Sequence, residues 1–331
     1  MSPDATTKYL FYTELAKLLD AGFGVRKAAG VLRDTRLPAA QASLLKDLEQ
    51  GLDSGQSITE SFGRDTTNIS EMERGIIGAG ERGGKLGQAF QHLADYFGML
   101  SRARREIISG LAYPVVVLHM GFFIGTVPTA MMNGGKTLWG IFGSFIITLA
   151  VAYAAAFLIF LAVRAVLSLA PDNAGIDAMI NRIPWIGHAR RTMAMARFCK
   201  VYHSCLLAGV PMTETVSMAS HASASGVVRD AGKRIAEAPK QGERIGPRLM
   251  ESDAFPQAFS RSYAIGEEAG TLDIDLGRWA KLFQEESANA VRKAATMVPK
   301  VIYFVILLFV AYRIVSFFNG YYGGMLEMME D

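Results

Sequence analysis

Two stretches contain no Asp, Glu, Lys or Arg at all, Ile107–Gly135 and Thr137–Val163, and they constrain this chain more than any other feature. A hydrocarbon core about 30 Å thick is crossed by roughly 20 helical residues, so each stretch is long enough to span a bilayer. The spans are read as Leu111–Met132 and Leu138–Val163. A third lies at Val301–Phe318, where Arg313 alone interrupts the apolar run. These stretches explain why half of the 331 residues are apolar and only 20% are charged. A disordered chain needs the reverse balance. The net charge of +3 is too slight to point to nucleic acid, whose binders cluster many more basic residues on one face. Two cysteines without a CxxC spacing give neither a disulfide framework nor a zinc site. The opening MSPDATTKYLFYTELAKLL has no basic n-region and no cleavage pattern, so no cleaved leader is expected.

Flanking charges orient the spans. Arg102, Arg104 and Arg105 precede the first, Arg164 follows the second, and Arg292, Lys293 and Lys300 precede the third. The loop between the first two carries only Lys136, and the tail ends in Glu327, Glu330 and Asp331. By the positive-inside rule both large polar regions, and the N-terminus, are cytoplasmic, while the C-terminus is periplasmic.

The two polar regions repeat one another. Leu18-Leu19-Asp20-Ala21-Gly22-Phe23 recurs as Cys205-Leu206-Leu207-Ala208-Gly209-Val210, and Phe11 matches Phe198. Gly55 and Ile58 match Gly242 and Ile245. Gly80-Glu81-Arg82-Gly83-Gly84-Lys85-Leu86 recurs as Gly266-Glu267-Glu268-Ala269-Gly270-Thr271-Leu272. Further on, Phe97 falls on Phe283 and Tyr113-Pro114 on Val298-Pro299, which makes the first span equivalent to the third. Homologous halves belong on one side of a membrane, so an even number of crossings must separate them. The first two spans supply that number, in agreement with the charges.

Within each half the apolar spacing is helical. Tyr9, Phe11, Leu15, Leu18 and Leu19 approximate a stripe that stops at Ala21-Gly22, and Leu44, Leu45 and Leu48 mark another helix. Leu86, Phe90, Leu93 and Phe97 form a third stripe, mirrored by Leu272, Leu276, Trp279 and Phe283. The expected fold is an all-α membrane protein with two repeated cytoplasmic helical bundles of five or six helices and three transmembrane helices. Residues 1–109 form the first repeat, 110–132 the first span, 133–137 a short periplasmic loop and 138–163 the second span. Residues 164–190 are a linker, 191–297 the second repeat, 298–320 the third span and 321–331 a periplasmic tail. The last helix of each bundle is expected to run directly into a span.

Two nucleotide-binding look-alikes fail on context. Gly78-Ala79-Gly80-Glu81-Arg82-Gly83 fits G-x-G-x-x-G, but a helical segment precedes it where that fingerprint needs a strand. Ala130–Thr137 resembles a relaxed P-loop, yet it joins two spans and reads as a Gly-rich turn. Apart from His119 the first two spans carry no ionisable residue, so neither a proton relay nor an intramembrane protease is indicated. His92, His188, His203 and His221 show no HExxH spacing, and Cys199 and Cys205 read as buried free thiols. No catalytic, cofactor or metal site is expected.

What remains is the repeated G-E-x-x-G-x-L element: Gly80, Glu81, Gly84 and Leu86, then Gly266, Glu267, Gly270 and Leu272, with Glu268 beside them. Its glycines suit left-handed backbone at a helix end, and its Leu opens the next apolar face. The carboxylate is read as a cap for the N–H groups at that next helix start. A partner contact by Glu81, Glu267 or Glu268 is the alternative.

With its LLxAG opening, a G-(Q/E)-x-(I/L) segment, the GE-x-x-G-x-L element, the Ile183-Pro184-Trp185-Ile186-Gly187 linker and two domains in matched order, the chain resembles the type II secretion system F-domain family. These are the polytopic inner-membrane platform proteins of type II secretion and type IV pilus machines, and the likeness covers about residues 8–320. Many members carry an extra segment ahead of the first repeat, so a contact made by such a segment is not expected here. Gly24 also departs from the pattern, standing where proline is common.

The resemblance implies a non-enzymatic scaffold in the bacterial inner membrane. It would couple a hexameric secretion or pilus-assembly ATPase to the assembly of pilin or pseudopilin subunits, alongside other inner-membrane assembly components. It also implies a homo-oligomer in contact with membrane lipid, with no cofactor and no nucleic acid. Arg313 is a candidate polar site in the third span, either snorkelling or packing between helices, or else meeting a pilin. The competing class is a transporter or channel component acting independently of pili, which should show more spans and polar residues at mid-depth.

Overall fold

Glycines mark where the helices stop. Among the described residues, the glycines with positive φ are Gly22, Gly55, Gly84, Gly209, Gly242 and Gly270. They form three pairs related by the repeat. At the first pair the geometry is the same in both halves: Phe23 N donates to Leu18 O and Val210 N to Cys205 O, both at 3.0 Å. This is the left-handed helix ending that only glycine adopts without strain.

The computed structural model describes residues 4–34, 37–63, 69–132 and 138–330, and no strand occurs among them. The first repeat comprises α1 (Ala5–Asp20), α2 (Val25–Arg33), α3 (Ala39–Asp53), α4 (Ile58–Gly63), α5 (Glu71–Arg82) and the start of α6 (Leu86–Met132). After α7 (Leu138–Leu169) and α8 (Ala174–Ile180) comes the second repeat. It comprises α9 (Ile186–Leu207), α10 (Met212–Ala222), α11 (Gly226–Ile235), α12 (Ile245–Met250), α13 (Gln257–Ala269) and the start of α14 (Leu272–Glu330). Each helix of α1–α6 thus has its counterpart in α9–α14, with a short 3-10 turn at Pro239–Gln241 added before α12.

The chain divides into two compact units. One joins Met1–Ala103 to Ser168–Arg292 and holds both repeats. Its core holds the expected stripe residues Phe11, Leu15, Leu45, Leu48, Phe90 and Leu93 in the first repeat and Leu276 and Phe283 in the second, joined there by Phe198, Tyr202 and Phe259. Side chains of this size each contribute about 1.5–3 kcal/mol on full burial. Residues 164–190 contain α8, which packs on α11. Asp177 of α8 is buried and accepts from Arg190 Nη2 at 2.8 Å, from Ser225 Oγ and from Val227 N, so it closes the start of α11. In the Ile183–Gly187 segment, a Cβ on Gly187 would fall 2.2 Å from Asn181 O, which only glycine avoids.

The other unit joins Arg104–Leu167 to Lys293–Asp331. It holds the apolar parts of α6, α7 and α14, the three helices long and apolar enough to cross a membrane. Small residues let α6 and α14 come close: a Cβ on Gly110 would sit 2.8 Å from Pro299 Cγ, and one on Gly121 2.3 Å from Val310 Cγ2. Phe157, Leu158 and Ile159 of α7 lie exposed, as lipid-facing side chains must. His119 Nδ1 donates to Val115 O at 2.7 Å, leaving Nε2 to accept from the Tyr153 hydroxyl at 3.2 Å. Residues 133–137 and Asp331 lie outside the described residues, and residues 321–330 continue α14.

Candidate functional site

The repeated G-E-x-x-G-x-L element has one geometry in both halves. Gly84 and Gly270 take left-handed backbone at φ +64° and +72°, ending α5 and α13 and turning the chain into α6 and α14. Gly80 and Gly266 are buried where those long helices begin: a Cβ on Gly80 would lie 2.5 Å from Ala89 Cβ, and one on Gly266 2.6 Å from Asp275 Oδ2. Leu272 is buried and Leu86 half-buried against the core.

The carboxylates do cap a helix start, but not that of the helix following them. Glu81 Oε1 accepts from Ile58 N at 2.5 Å, and Oε2 accepts from Thr59 N at 2.9 Å and from the Thr59 hydroxyl at 2.5 Å. Glu267 likewise accepts from Ile245 N at 2.9 Å and Gly246 N at 2.8 Å. These N–H groups open α4 and α12, each of which starts at the Ile of its Gly-(Gln/Glu)-x-Ile segment. The physical reason is clearest at α12: its N-cap residue, Arg244, has no acceptor side chain, so the exposed donors and the positive helix end draw a carboxylate from α13. Two motifs that are separate in sequence are therefore the halves of a single contact. Glu268 points elsewhere and lies exposed, 3.4 Å from Arg244. Arg313 sits in α14, half-buried within the third apolar stretch.

Sequence reading missed a buried polar centre in the first repeat. Lys8 Nζ donates to both oxygens of Glu73 at 2.8 and 2.7 Å, and the Tyr12 hydroxyl donates to Oε1 at 2.7 Å. Glu73 is fully buried and also closes a capping box with Ser70 at the start of α5. Burial, then the Glu73 charge, holds the Tyr12 phenol well above its ordinary pKa, so it stays a donor. In sequence, Ser70-x-x-Glu73 has the spacing of a capping box, which marks the start of α5 and not the buried pair.

The two repeats meet along a seam in which α5 packs on α9 and α10. Arg82 Nη1 pairs with Glu214 at 2.5 Å, and Arg229 bridges Glu71 and Asp172. Arg197 Nη1 donates to the Tyr96 hydroxyl at 3.0 Å, its guanidinium lying 5.6 Å from the ring centre. A cavity of about 230 Å³ lies in the seam, lined among others by Met72, His92, Tyr96, Arg197 and Lys200. Lys200 donates to Gln284 Oε1 at 2.8 Å, and burial draws its pKa down to about 8 against the opposing pull of Asp95. Both cysteines are buried and free. Among the described residues no His, Cys, Asp and Glu group is arranged to hold a metal. This arrangement joins the helices of the two repeats through ion pairs, hydrogen bonds and ring contacts.

Residues 11–134 and 198–319 each match the family described as type II secretion system (T2SS), protein F, one match per repeat with its span. The chain is 24% identical over 308 residues to the type II secretion system protein F of Xanthomonas campestris, covering 87% of this chain and 76% of that protein. It is 26% identical over 318 residues to the type IV pilus assembly protein PilC of Thermus thermophilus, covering 89% and 77%. With the protein of the same name from Pseudomonas aeruginosa it shares 22% over 328 residues, covering 93% and 87%.

Proposed function

This chain belongs to the type II secretion system protein F family, and from that premise we propose that it is the inner-membrane platform of a type IV pilus or type II secretion machine. The observation that carries the reading is the doubled bundle, each copy ending in a helix that continues unbroken into an apolar span. Such a molecule takes up force from a soluble partner and delivers it inside the bilayer without chemistry of its own. The partner is a hexameric ATPase meeting the bundles, and the load is pilin or pseudopilin subunits whose apolar helices meet the spans. The bundles, residues 1–109 and 191–297, lie in the cytoplasm. The spans are 110–132, 138–163 and 298–320, with the C-terminus periplasmic. The basic residues flanking the spans and the parity of the crossings support that orientation.

Deleting the gene should abolish filament assembly or secretion while leaving ATPase and pilin levels unchanged, and the chain should co-purify with the ATPase from solubilised membranes. Reporter fusions should read cytoplasmic at residue 200 and periplasmic after residue 320. Solute movement by the purified chain in vesicles, without an ATPase, would overturn the reading in favour of a transporter.

A further inference from the structure

The seam between the repeats uses one face of each, and the duplication leaves the complementary face of each without a partner. The first repeat contributes α5 and α6, and the second contributes α9 and α10. The unused counterparts are α13 and α14 on the second repeat, and α1 and α2 on the first. We propose that these two faces bind each other between copies of the chain, head to tail, repeating the internal seam.

Mapping the seam contacts through the repeat supports this pair by pair. Arg82 and Glu214, which form the seam ion pair, correspond to Glu268 and Lys27. The charges are exchanged, but they remain opposite. Both residues are exposed. Glu268 is only loosely held at 3.4 Å from Arg244, and the Lys27 ammonium lies 4.9 Å from the Phe23 ring.

Tyr96 and Arg197, stacked and hydrogen-bonded across the seam, correspond to Leu282 and Leu10. These are two large apolar side chains, 42% and 56% exposed. Ala79, buried at the seam, corresponds to Ile265, which is 67% exposed, and Met218, which touches Arg82, corresponds to Val31, which is 42% exposed. Gly83 and Ala208, which pack closely, correspond to Ala269 and Ala21, again a small pair. Polar contacts thus map to complementary charge and packed contacts to apolar or small residues. Isolated exposed leucines are ordinary, but here two large apolar side chains stand on each face, Ile265 and Leu282 on one and Leu10 and Val31 on the other, all at seam-equivalent positions.

The match is weaker than the seam itself. The Arg229–Glu71 pair maps to Ala42 and Gln257, and Gly75, packed on Ala222, maps to Arg261. The copy-to-copy contact is therefore reversible where the internal one is permanent. Because it joins two different faces it is heterologous, and it builds a ring if the rotation closes. The proposal goes beyond the platform reading and does not rest on it.

The test uses the full chain in bacterial membranes, treated with a short bismaleimide. A chain carrying both Lys27→Cys and Glu268→Cys should give a ladder of dimers and higher species. Either single variant alone should stay monomeric, and the two single variants co-expressed should stop at dimers. Arg82→Cys with Glu214→Cys should cross-link within one chain, which verifies the fold. Only monomers from the double variant, an internal cross-link in it, or self-dimers from a single variant would each overturn the proposal. An independent measurement is native mass spectrometry in detergent. Lys27→Glu or Glu268→Lys should lower the oligomeric fraction roughly two- to five-fold, the scale of an exposed ion pair, and combining the two should restore it. Failure to restore would count against the contact.

Discussion

Where the first repeat buries Glu73, the second buries Phe259; where the first has Lys8 and Tyr12, the second has Met195 and Cys199. One centre is an ion pair with a phenol donating into it. The other is an aromatic cluster in which Phe259 lies within 6.2 Å of Phe198, Tyr263, Trp279 and Phe283. The second repeat's own polar contact, between the Tyr202 and Tyr263 hydroxyls at 2.5 Å, is neutral. Meanwhile the left-handed glycines and the Glu81 and Glu267 caps are shared. The backbone plan therefore depends on turns and helix ends, and it tolerates cores of opposite polarity. A buried ion pair adds little net stability, because desolvation offsets its attraction, but breaking it leaves a charge stranded.

That difference sets the largest expected effect. Glu73→Leu, or Lys8→Met alone, should cost the first repeat about 3–5 kcal/mol. Hydrogen exchange should show α1 and α5 losing protection while α9 and α13 keep theirs. Installing the second repeat's solution, Lys8→Met with Glu73→Phe, should lose less than either single change. A double variant worse than both singles would mean the first core cannot accept an apolar centre.

Next come the glycines common to both halves. Gly80→Ala drives a methyl into Ala89, which cannot swing aside, and should cost about 1–3 kcal/mol. Gly266→Ala meets the end of the Asp275 side chain, which can rotate, and should cost less. Denaturant midpoints of the two variants measure that asymmetry.

The caps should separate by a smaller margin. Glu81→Ala and Glu267→Ala should each cost about 1–2 kcal/mol, with Glu81 the more costly because it also loses the Thr59 hydroxyl. Equal losses would show that the hydroxyl adds nothing.

One effect is confined to alkaline pH and belongs to the second repeat, because Thr13 stands in the first where Lys200 stands in the second. Burial holds Lys200 at about 8, below its ordinary 10.5, so the folded chain releases this proton before the unfolded chain does. Its contribution is present above 10.5 and is lost as pH falls through 8, up to about 3 kcal/mol by linkage. Lys200→Met should flatten the rise in stability between pH 8 and 10 relative to the parent chain.

The parts readable from sequence were those governed by spacing. Charge-free runs give spans, apolar stripes give helices, and recurrent glycines give the repeat. The G-E-x-x-G-x-L element was readable as a helix-end device, but the helix that Glu81 and Glu267 cap was not. That contact joins residues more than twenty positions apart, and only the fold brings them together. The Lys8–Glu73 pair was hidden for a similar reason. A lysine on a helix ordinarily faces water, and nothing next to Lys8 in sequence shows that its ammonium turns inward. The capping-box spacing at Ser70 marked a helix start but gave no sign of the charge buried behind it.

Pro114 and Pro299 occupy matching places in α6 and α14, and each removes one rung from its helix's hydrogen-bond ladder. The helix itself continues through such a gap, but it is least stiff there. Gly110 of α6 rests against the Pro299 ring, which leaves α14 no room to fold toward its neighbour. The two helices are therefore held in contact at the point where α14 lacks a rung, and neither can bend toward the other there.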